Sequence, residues 1–231
     1  MLSALMYFLQ IKVFRDERDT FFYLLQDLAF VPIQLLLVTV IVDQVLRIRE
    51  KAAMLNKLNM VIGTFFSEAG TRLLKSFSGF DHDIDGIRPE LLVNKDWTDR
   101  QFDRVMTDLR RNEYHIDVRK NDLAGLKLFL SGKRDFLLRL LENQNLLEHE
   151  TFTELLWAVF HLTEELEARS DLAHLSAADR EHIAIDIRRA YIILISEWLS
   201  YMRHLKKEYP YLFSLAVRTN PFDEHASASF K

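Results

Sequence analysis

The chain has no cysteine, so disulfide bonds, thiolate nucleophiles and zinc sites built on cysteine are all excluded. Glycine and proline are also scarce, with 6 and 4 copies among 231 residues. Tight turns and short strands draw heavily on these two residue types. Their scarcity therefore favours a fold of long helices over a β-rich one.

Catalytic signatures are missing as well. We find no G-x-S-x-G, P-loop, G-x-G-x-x-G or H-E-x-x-H sequence, and we therefore predict neither an enzyme nor a bound cofactor. A basic excess is missing too, because 30 basic residues face 34 acidic ones, for a net charge of −4. Nucleic-acid binding requires positive charge to neutralise phosphates, so no nucleic-acid partner is expected.

One long apolar run stands out, from Thr20 to Leu46, and its inner part from Leu28 to Val42 carries no charge. A helix over this run would be about 40 Å long, which exceeds the ~30 Å hydrocarbon core of a bilayer. We predict a single transmembrane helix over 20–46. The alternative is the buried core helix of a soluble protein.

Residues 1–19 are apolar up to Phe14, which is too short for a span. A signal peptide would need a basic start and a small-residue cleavage site, and both are missing. We therefore expect either an interfacial helix or an extension that packs beside the span.

Flanking charges set the expected orientation. Four basic residues follow the run and three precede it. The positive-inside rule then places the C-terminal part in the cytoplasm, with a single pass through the cell (inner) membrane. The basic residues are, after the run, Arg47, Arg49, Lys51 and Lys57, and, before it, Lys12, Arg15 and Arg18.

Two polar side chains fall within or at the end of the span. Gln34 is placed to hydrogen-bond to a neighbouring copy, and Asp43 is placed to line a pore or to bind a cation. The simpler interpretation of Asp43 is that it marks the cytoplasmic end of the span.

The helical pattern continues past the span as a predicted stalk over 47–77. Apolar residues recur there at heptad spacing, which predicts a coiled-coil seam and a homo-oligomer. The alternative is a monomer whose stalk packs against its own domain. The seam residues are Ile48, Leu55, Leu58, Ile62, Phe65 and Ala69.

An acidic linker is predicted over 78–95. Asp81, Asp83 and Asp85 precede Gly86 in the pattern that starts a calcium loop. The loop then fails, because its twelfth position is Leu92 and not glutamate. These aspartates are weak metal candidates, and the alternative is a solvated linker.

An up-and-down bundle of four or five amphipathic helices is predicted over 96–218, so the fold class is all-α. Capping patterns mark the helix starts, and residues 219–231 are predicted to be a flexible tail. The predicted helices run from Thr98 to about Arg111, from about Asp122 to Asn143 with a break allowed at Gly132, from Thr151 to about Arg169, from Ser176 to about Glu208, and onward from Pro210.

Two trios of glutamate and histidine repeat the same spacing of seven and four residues, which places each trio on one helical face. Facing helices with such residues can hold metal ions, whereas surface residues on amphipathic helices produce the same spacing without a metal. The trios are Glu154, His161 and Glu165, and Glu197, His204 and Glu208.

The segment Tyr209–Val217 carries more apolar surface than one helical face can hide. It is expected in the domain core, against the bilayer, or under a protein partner. We hypothesise a membrane-anchored protein that acts through oligomerisation and partner binding, in a signalling or scaffold role. The alternatives are a pore-forming or channel accessory subunit, and a metal-dependent enzyme that uses the two trios.

Overall fold

The computed structural model describes residues 2–14, 17–143, 146 and 149–229. These residues form nine α-helices and no strand, which confirms the all-α prediction for this part of the chain. The helices are α1 (Leu2–Phe14), α2 (Glu17–Phe65), α3 (Thr71–Phe80), α4 (Ile84–Leu91), α5 (Asp99–Arg111), α6 (Leu123–Leu141), α7 (Glu150–Ala168), α8 (Ala177–Glu208) and α9 (Pro210–Arg218).

The chain divides into two compact units, Met1–Met54 and Leu55–Lys231. The first unit holds α1 and most of α2. Within it the hydroxyl of Tyr7 donates to a carboxylate oxygen of Asp27 at 2.6 Å, which ties α1 to the first part of α2. Pro32 lies inside α2.

The end of α2 passes into a π-helical turn over Phe66–Gly70 before α3 begins. The amide and the hydroxyl of Thr71 both donate to the carbonyl of Phe66, five residues back. Single π turns of this kind insert one extra residue into a helix. The turn brings Phe65, Phe66 and Ala69 into the core of the second unit, where each is at most 2% exposed.

Helix α8 lies at the centre of the second unit, because it packs against α3, α5, α7, α9 and the π turn, while α6 packs on α7. Its core side chains include Tyr191, whose ring meets Phe77 of α3 and Tyr114 edge to face. Edge-to-face pairs add about 0.5–1.5 kcal/mol each to the apolar burial. Helix α8 therefore has packing partners on more than one side.

The predicted stalk and its oligomer seam need correction. The side chains of Leu58, Ile62, Phe65 and Ala69 are between 0% and 3% exposed, because they pack into the core of their own chain. If these side chains formed a seam between copies, they would be exposed in a single chain. Helices that pack in a core and helices that pair with a second copy repeat apolar residues at similar intervals, so the pattern could not separate the two. Ile48 is exposed, and the side chain of Leu55 lies outside the described ones.

The predicted acidic linker is also folded in the structure. Residues Ile84–Leu91 form α4, and Ile84, Ile87, Leu91 and Val93 are all buried. Apolar residues at positions 84, 87 and 91 lie on one helical face, which explains why this short helix packs.

The first part of the predicted flexible tail is likewise packed, whereas residues 224–229 are exposed. Asn220 and Phe222 are each 2% exposed, and the ring of Trp198 on α8 meets that of Phe222. Residues 230 and 231 lie outside the described part of the chain.

Most of the predicted helix starts are confirmed, among them those of α5 and α8. Thr98 and Gln101 form a capping box at α5, and the hydroxyl of Ser176 accepts the amide of Asp179 at the start of α8. At α7 the prediction was wrong by two residues. His149, and not Thr151, caps this helix, because its Nδ1 accepts the amide of Phe152.

Candidate functional site

Two consecutive helices of the second unit bring two histidines and two carboxylates together. His161 and Glu165 are one turn apart on α7, and His182 and Asp186 are one turn apart on α8. Residues four apart share a helical face, and α7 packs directly on α8. The four side chains therefore meet where the two helices face each other.

The atoms of this cluster lie 3.4–3.9 Å apart. Nε2 of His161 is 3.6 Å from Oδ2 of Asp186 and 3.9 Å from Oε1 of Glu165. Nε2 of His182 is 3.5 Å from the same Oδ2 and 3.4 Å from Oε2 of Glu165. Single ligand atoms of His161, His182 and Asp186 all lie within 4.8 Å of one another.

Asp186 is the buried centre of the cluster. Its side chain is 4% exposed, whereas the side chains of His161 and His182 are 45% and 51% exposed. Its Oδ2 receives no hydrogen bond although it is fully enclosed. Its other oxygen, Oδ1, is 3.7 Å from a guanidinium nitrogen of Arg189. A buried carboxylate oxygen without a donor is unusual, because such groups are costly to desolvate.

Arg169 fixes the side chain of Glu165. The guanidinium donates to Oε2 and to the backbone carbonyl of Glu165, both at 2.6 Å, and it also reaches Asp179. The hydrogen bond from Arg169 lowers the pKa of Glu165 below its usual value, so this carboxylate stays ionised. The other carboxylate oxygen of Glu165, Oε1, is the one next to His161.

The first predicted trio is only partly assembled. His161 and Glu165 belong to the cluster, but Glu154 is exposed and is two turns away along α7. Seven residues of helix span about 10.5 Å, which exceeds the reach of one metal site.

The second predicted trio does not converge. Glu197 is buried beside Thr151 and His149. His204 pairs with the side-chain amide of Asn59. Glu208 lies beside Lys207 at the end of α8. Each member has a different partner. These three candidate residues are therefore not brought together in one site.

The predicted calcium residues also separate. Asp81 is buried and its Oδ1 accepts the amide of Asp83. Asp83 itself pairs with His115 at 2.8 Å, and Asp85 pairs with Arg88. Because α4 begins at Ile84, the backbone leaves the loop path that a calcium site needs.

The polar residues of the apolar run have different surroundings. Gln34 is exposed on α2. Asp43 accepts a hydrogen bond from Nε of Arg47 at 2.9 Å, one turn further along the helix. Exposed pairs of opposite charge one turn apart are common on helices.

Helix α9 divides its apolar residues between core and surface. Phe213 is 5% exposed, whereas Tyr211 is 71%, Leu212 39% and Leu215 43% exposed. Leu212 and Leu215 line a groove of about 730 Å³ that also includes Gly63, Phe66, Tyr201 and His204, and Tyr211 lies outside its lining. We call Tyr211, Leu212 and Leu215 the α9 surface.

Sequence reasoning missed His182 and Asp186. The two trios share a spacing of seven and four residues. The cluster instead follows a shorter pattern, in which a histidine is followed four residues later by an acidic residue, once on each of two successive helices. That shorter repeat, H-x-x-x-E and then H-x-x-x-D, is visible in the sequence.

The fold and the site define a class of all-helical proteins with an apolar N-terminal helix and a separate helical domain. The chain belongs to the family of MJ1433. Residues 1–46 match "MJ1433, N-terminal helical domain", and residues 54–218 match "Uncharacterized protein MJ1433, C-terminal helical domain". These two ranges agree with the two compact units.

A relative from Methanocaldococcus jannaschii, "Uncharacterized protein MJ1433", is 46% identical over 222 residues, which cover 96% of this chain and 89% of the relative. No solved structure matches the chain.

Proposed function

We propose that this protein is anchored in a membrane by α2 and that its helical domain acts by contacts with other chains. One observation carries the anchor. Residues Arg18–Lys51 are long and apolar enough to span a bilayer, and none of the most apolar 18-residue window is buried. An apolar surface of this size on a soluble monomer would be unusual, and burial in lipid removes it from water.

The anchor is tested with the full chain by membrane fractionation. We expect the protein to stay with the membranes in alkaline carbonate and to be released by detergent. The variant Leu36→Arg with Val40→Arg should be released, because each central arginine opposes insertion by about 2.5–3.5 kcal/mol. Leu128→Arg, an exposed position of α6, is the control and should stay bound. A parent chain that is soluble without detergent would contradict the anchor.

The proposed orientation, with the domain in the cytoplasm, rests on the charges that flank the apolar run. The absence of cysteine makes a direct test simple. Asp19→Cys, just before the apolar run, and Leu128→Cys each introduce one thiol at an exposed position. A membrane-impermeant maleimide should label the first variant in intact cells and the second only after lysis. The reverse pattern would overturn the orientation.

For the domain, we propose self-association through the α9 surface. Three large apolar side chains remain exposed there, and two of them, Leu212 and Leu215, line a groove. Exposed apolar patches of this kind mark interaction sites. Copies that share a membrane are held in one plane, which raises their effective concentration. A second copy is therefore the occupant that we expect.

This proposal is tested by the mass of the full chain in detergent and in lipid nanodiscs. We expect the parent to form oligomers, and Tyr211→Ser with Leu215→Ser to shift it toward the monomer. The control is Leu128→Ser, which removes a side chain that is 77% exposed elsewhere on the domain. A parent chain that stays monomeric, or an oligomer that the double variant leaves unchanged, would contradict the proposal.

A further inference from the structure

We propose that His161, His182 and Asp186 bind one divalent first-row transition-metal ion, through the two Nε2 atoms and Oδ2 of Asp186. The site lies within the helical domain, so the proposal does not depend on the anchor or on self-association. Three observations support it: the spacing of the donor atoms, the lack of a hydrogen bond at Oδ2, and the chemistry of the donor set.

The spacing fits a shared ion. Zinc binds imidazole nitrogen and carboxylate oxygen at about 2.0–2.2 Å, and in tetrahedral geometry neighbouring ligand atoms are then roughly 3.4 Å apart. Both Nε2–Oδ2 distances, 3.6 and 3.5 Å, are close to that value. A small change in side-chain rotamer would close the remaining difference.

A direct hydrogen bond would give a different spacing. Two surface pairs of the same chain, His115 with Asp83 and His174 with Asp171, have nitrogen–oxygen distances of 2.8 Å. At the cluster, two histidines approach one buried oxygen and neither forms a hydrogen bond with it. A cation between the three atoms satisfies all of them, because each offers a lone pair toward the common centre.

The donor set selects the class of ion. Two imidazoles and one carboxylate suit Zn²⁺ and its first-row neighbours, whereas Ca²⁺ and Mg²⁺ prefer all-oxygen sites. The half-exposed imidazoles leave one side of the site open to solvent, so a water molecule can complete the coordination. Glu165, fixed by Arg169, lies beside that open side, where Oε1 can accept a hydrogen bond from the water.

The test uses the full chain in detergent, without an affinity tag, after treatment with a chelator and dialysis. Titration calorimetry with ZnCl₂ should show one ion per chain. Substitution with Co²⁺ should give the visible absorption of a four- or five-coordinate site. Zinc at about 100 times its Kd should raise the Tm of the domain by roughly 5–10 °C. The absence of saturable binding would overturn the proposal.

Variants locate the site. Asp186→Asn keeps the shape and removes the charge, and it should weaken zinc binding at least about 100-fold. His182→Gln should do the same. The matched control is His174→Gln, which removes a histidine from an exposed aspartate pair and should bind zinc like the parent.

Folding of the variants is checked by melting without metal. Metal-free Asp186→Asn should melt at or above the temperature of the metal-free parent, because a buried charge has been removed. Zinc should then raise the Tm of the parent and not that of the variant. An equal rise in both proteins would show that Asp186 is not a ligand and would overturn the proposal.

Discussion

The hydroxyl of Thr151 donates to Oε1 of Glu197 at 2.5 Å, which joins the first turn of α7 to the middle of α8. Glu197 is 5% exposed, and Nε2 of His149 is 4.0 Å from its second oxygen. Nδ1 of His149 accepts the amide of Phe152, so its Nε2 is the ring nitrogen that faces Glu197. Burial outweighs these contacts and raises the pKa of Glu197 above its usual value.

The raised pKa of Glu197 predicts a pH-dependent stability. Between the unfolded pKa of about 4.5 and the higher folded pKa, the folded state binds more protons, so stability falls as the pH rises. Glutamine does not ionise, so the Glu197→Gln variant should not lose stability in this way as the pH rises. Its Tm should match that of the parent near pH 4 and exceed it by a few degrees at about pH 7.

Thermal melting across this pH range checks the prediction. Glu154→Gln on the same pair of helices is the control, because Glu154 is exposed and its loss should leave the pH profile unchanged. Parallel profiles for Glu197→Gln and the parent would contradict a raised pKa.

Phe213 and Tyr211 on α9 should respond differently to truncation. Phe213→Ala should lower the free energy of unfolding by about 3–5 kcal/mol, because it leaves a cavity beneath α9. Tyr211→Ala should change it by less than about 0.5 kcal/mol, because that ring is exposed. Denaturant unfolding measures both values, at a protein concentration low enough for the full chain in detergent to be monomeric, because the proposed self-association would bury Tyr211. Equal effects would show that α9 packs with a different face.

Two glycines form a second matched pair. A methyl group on Gly70 would lie 2.6 Å from the ring of Phe66, whereas one on Gly132 would meet no atom within 4 Å. Gly70→Ala should therefore destabilise the domain by about 1–3 kcal/mol through overpacking. Gly132→Ala should stabilise it by about 0.5–1 kcal/mol, because alanine loses less entropy in a helix.

The same unfolding measurements test this pair. If both variants shift the free energy of unfolding in the same direction, the close packing at the π turn is not what requires Gly70.

Asn220 should anchor the C-terminal segment. Its Nδ2 donates to the carbonyl of Leu91, and its Oδ1 accepts the amide of Phe222, both at 2.9 Å. Asn220→Leu leaves both backbone groups unpaired in the core and should cost roughly 2–4 kcal/mol of stability. Asn94→Leu, at an exposed position, is the control. Limited proteolysis after residue 218 should become faster in Asn220→Leu only.

The sequence allowed most helices of the domain to be predicted, because caps and apolar periodicity are local properties. Thr98, Ser176 and Pro210 each mark a helix start that the structure confirms. Gly132 was a weaker signal, and α6 runs through it without a break.

Contacts between distant residues could not be read in the same way. The apolar repeat of Leu58 and Ile62 is compatible with a seam between copies or with a core, and only the tertiary structure distinguishes the two. Asp186 gives no local sign of burial, because its neighbour across the helix interface, His161, is 25 positions earlier in the sequence. The polar composition of 78–95 likewise predicted a linker and gave no sign that one face of α4 is buried.

The hydrogen bond between Asn220 and Leu91 has a consequence for synthesis of the chain. The two residues are 129 positions apart, and ribosomes add about 5–20 residues per second, so roughly 6–26 seconds separate their appearance. During this interval the apolar faces of α3 and α4 lack α8 and the C-terminal segment that cover them. The apolar faces of α3 and α4 therefore stay incompletely covered until residue 220 has been synthesised and can reach Leu91.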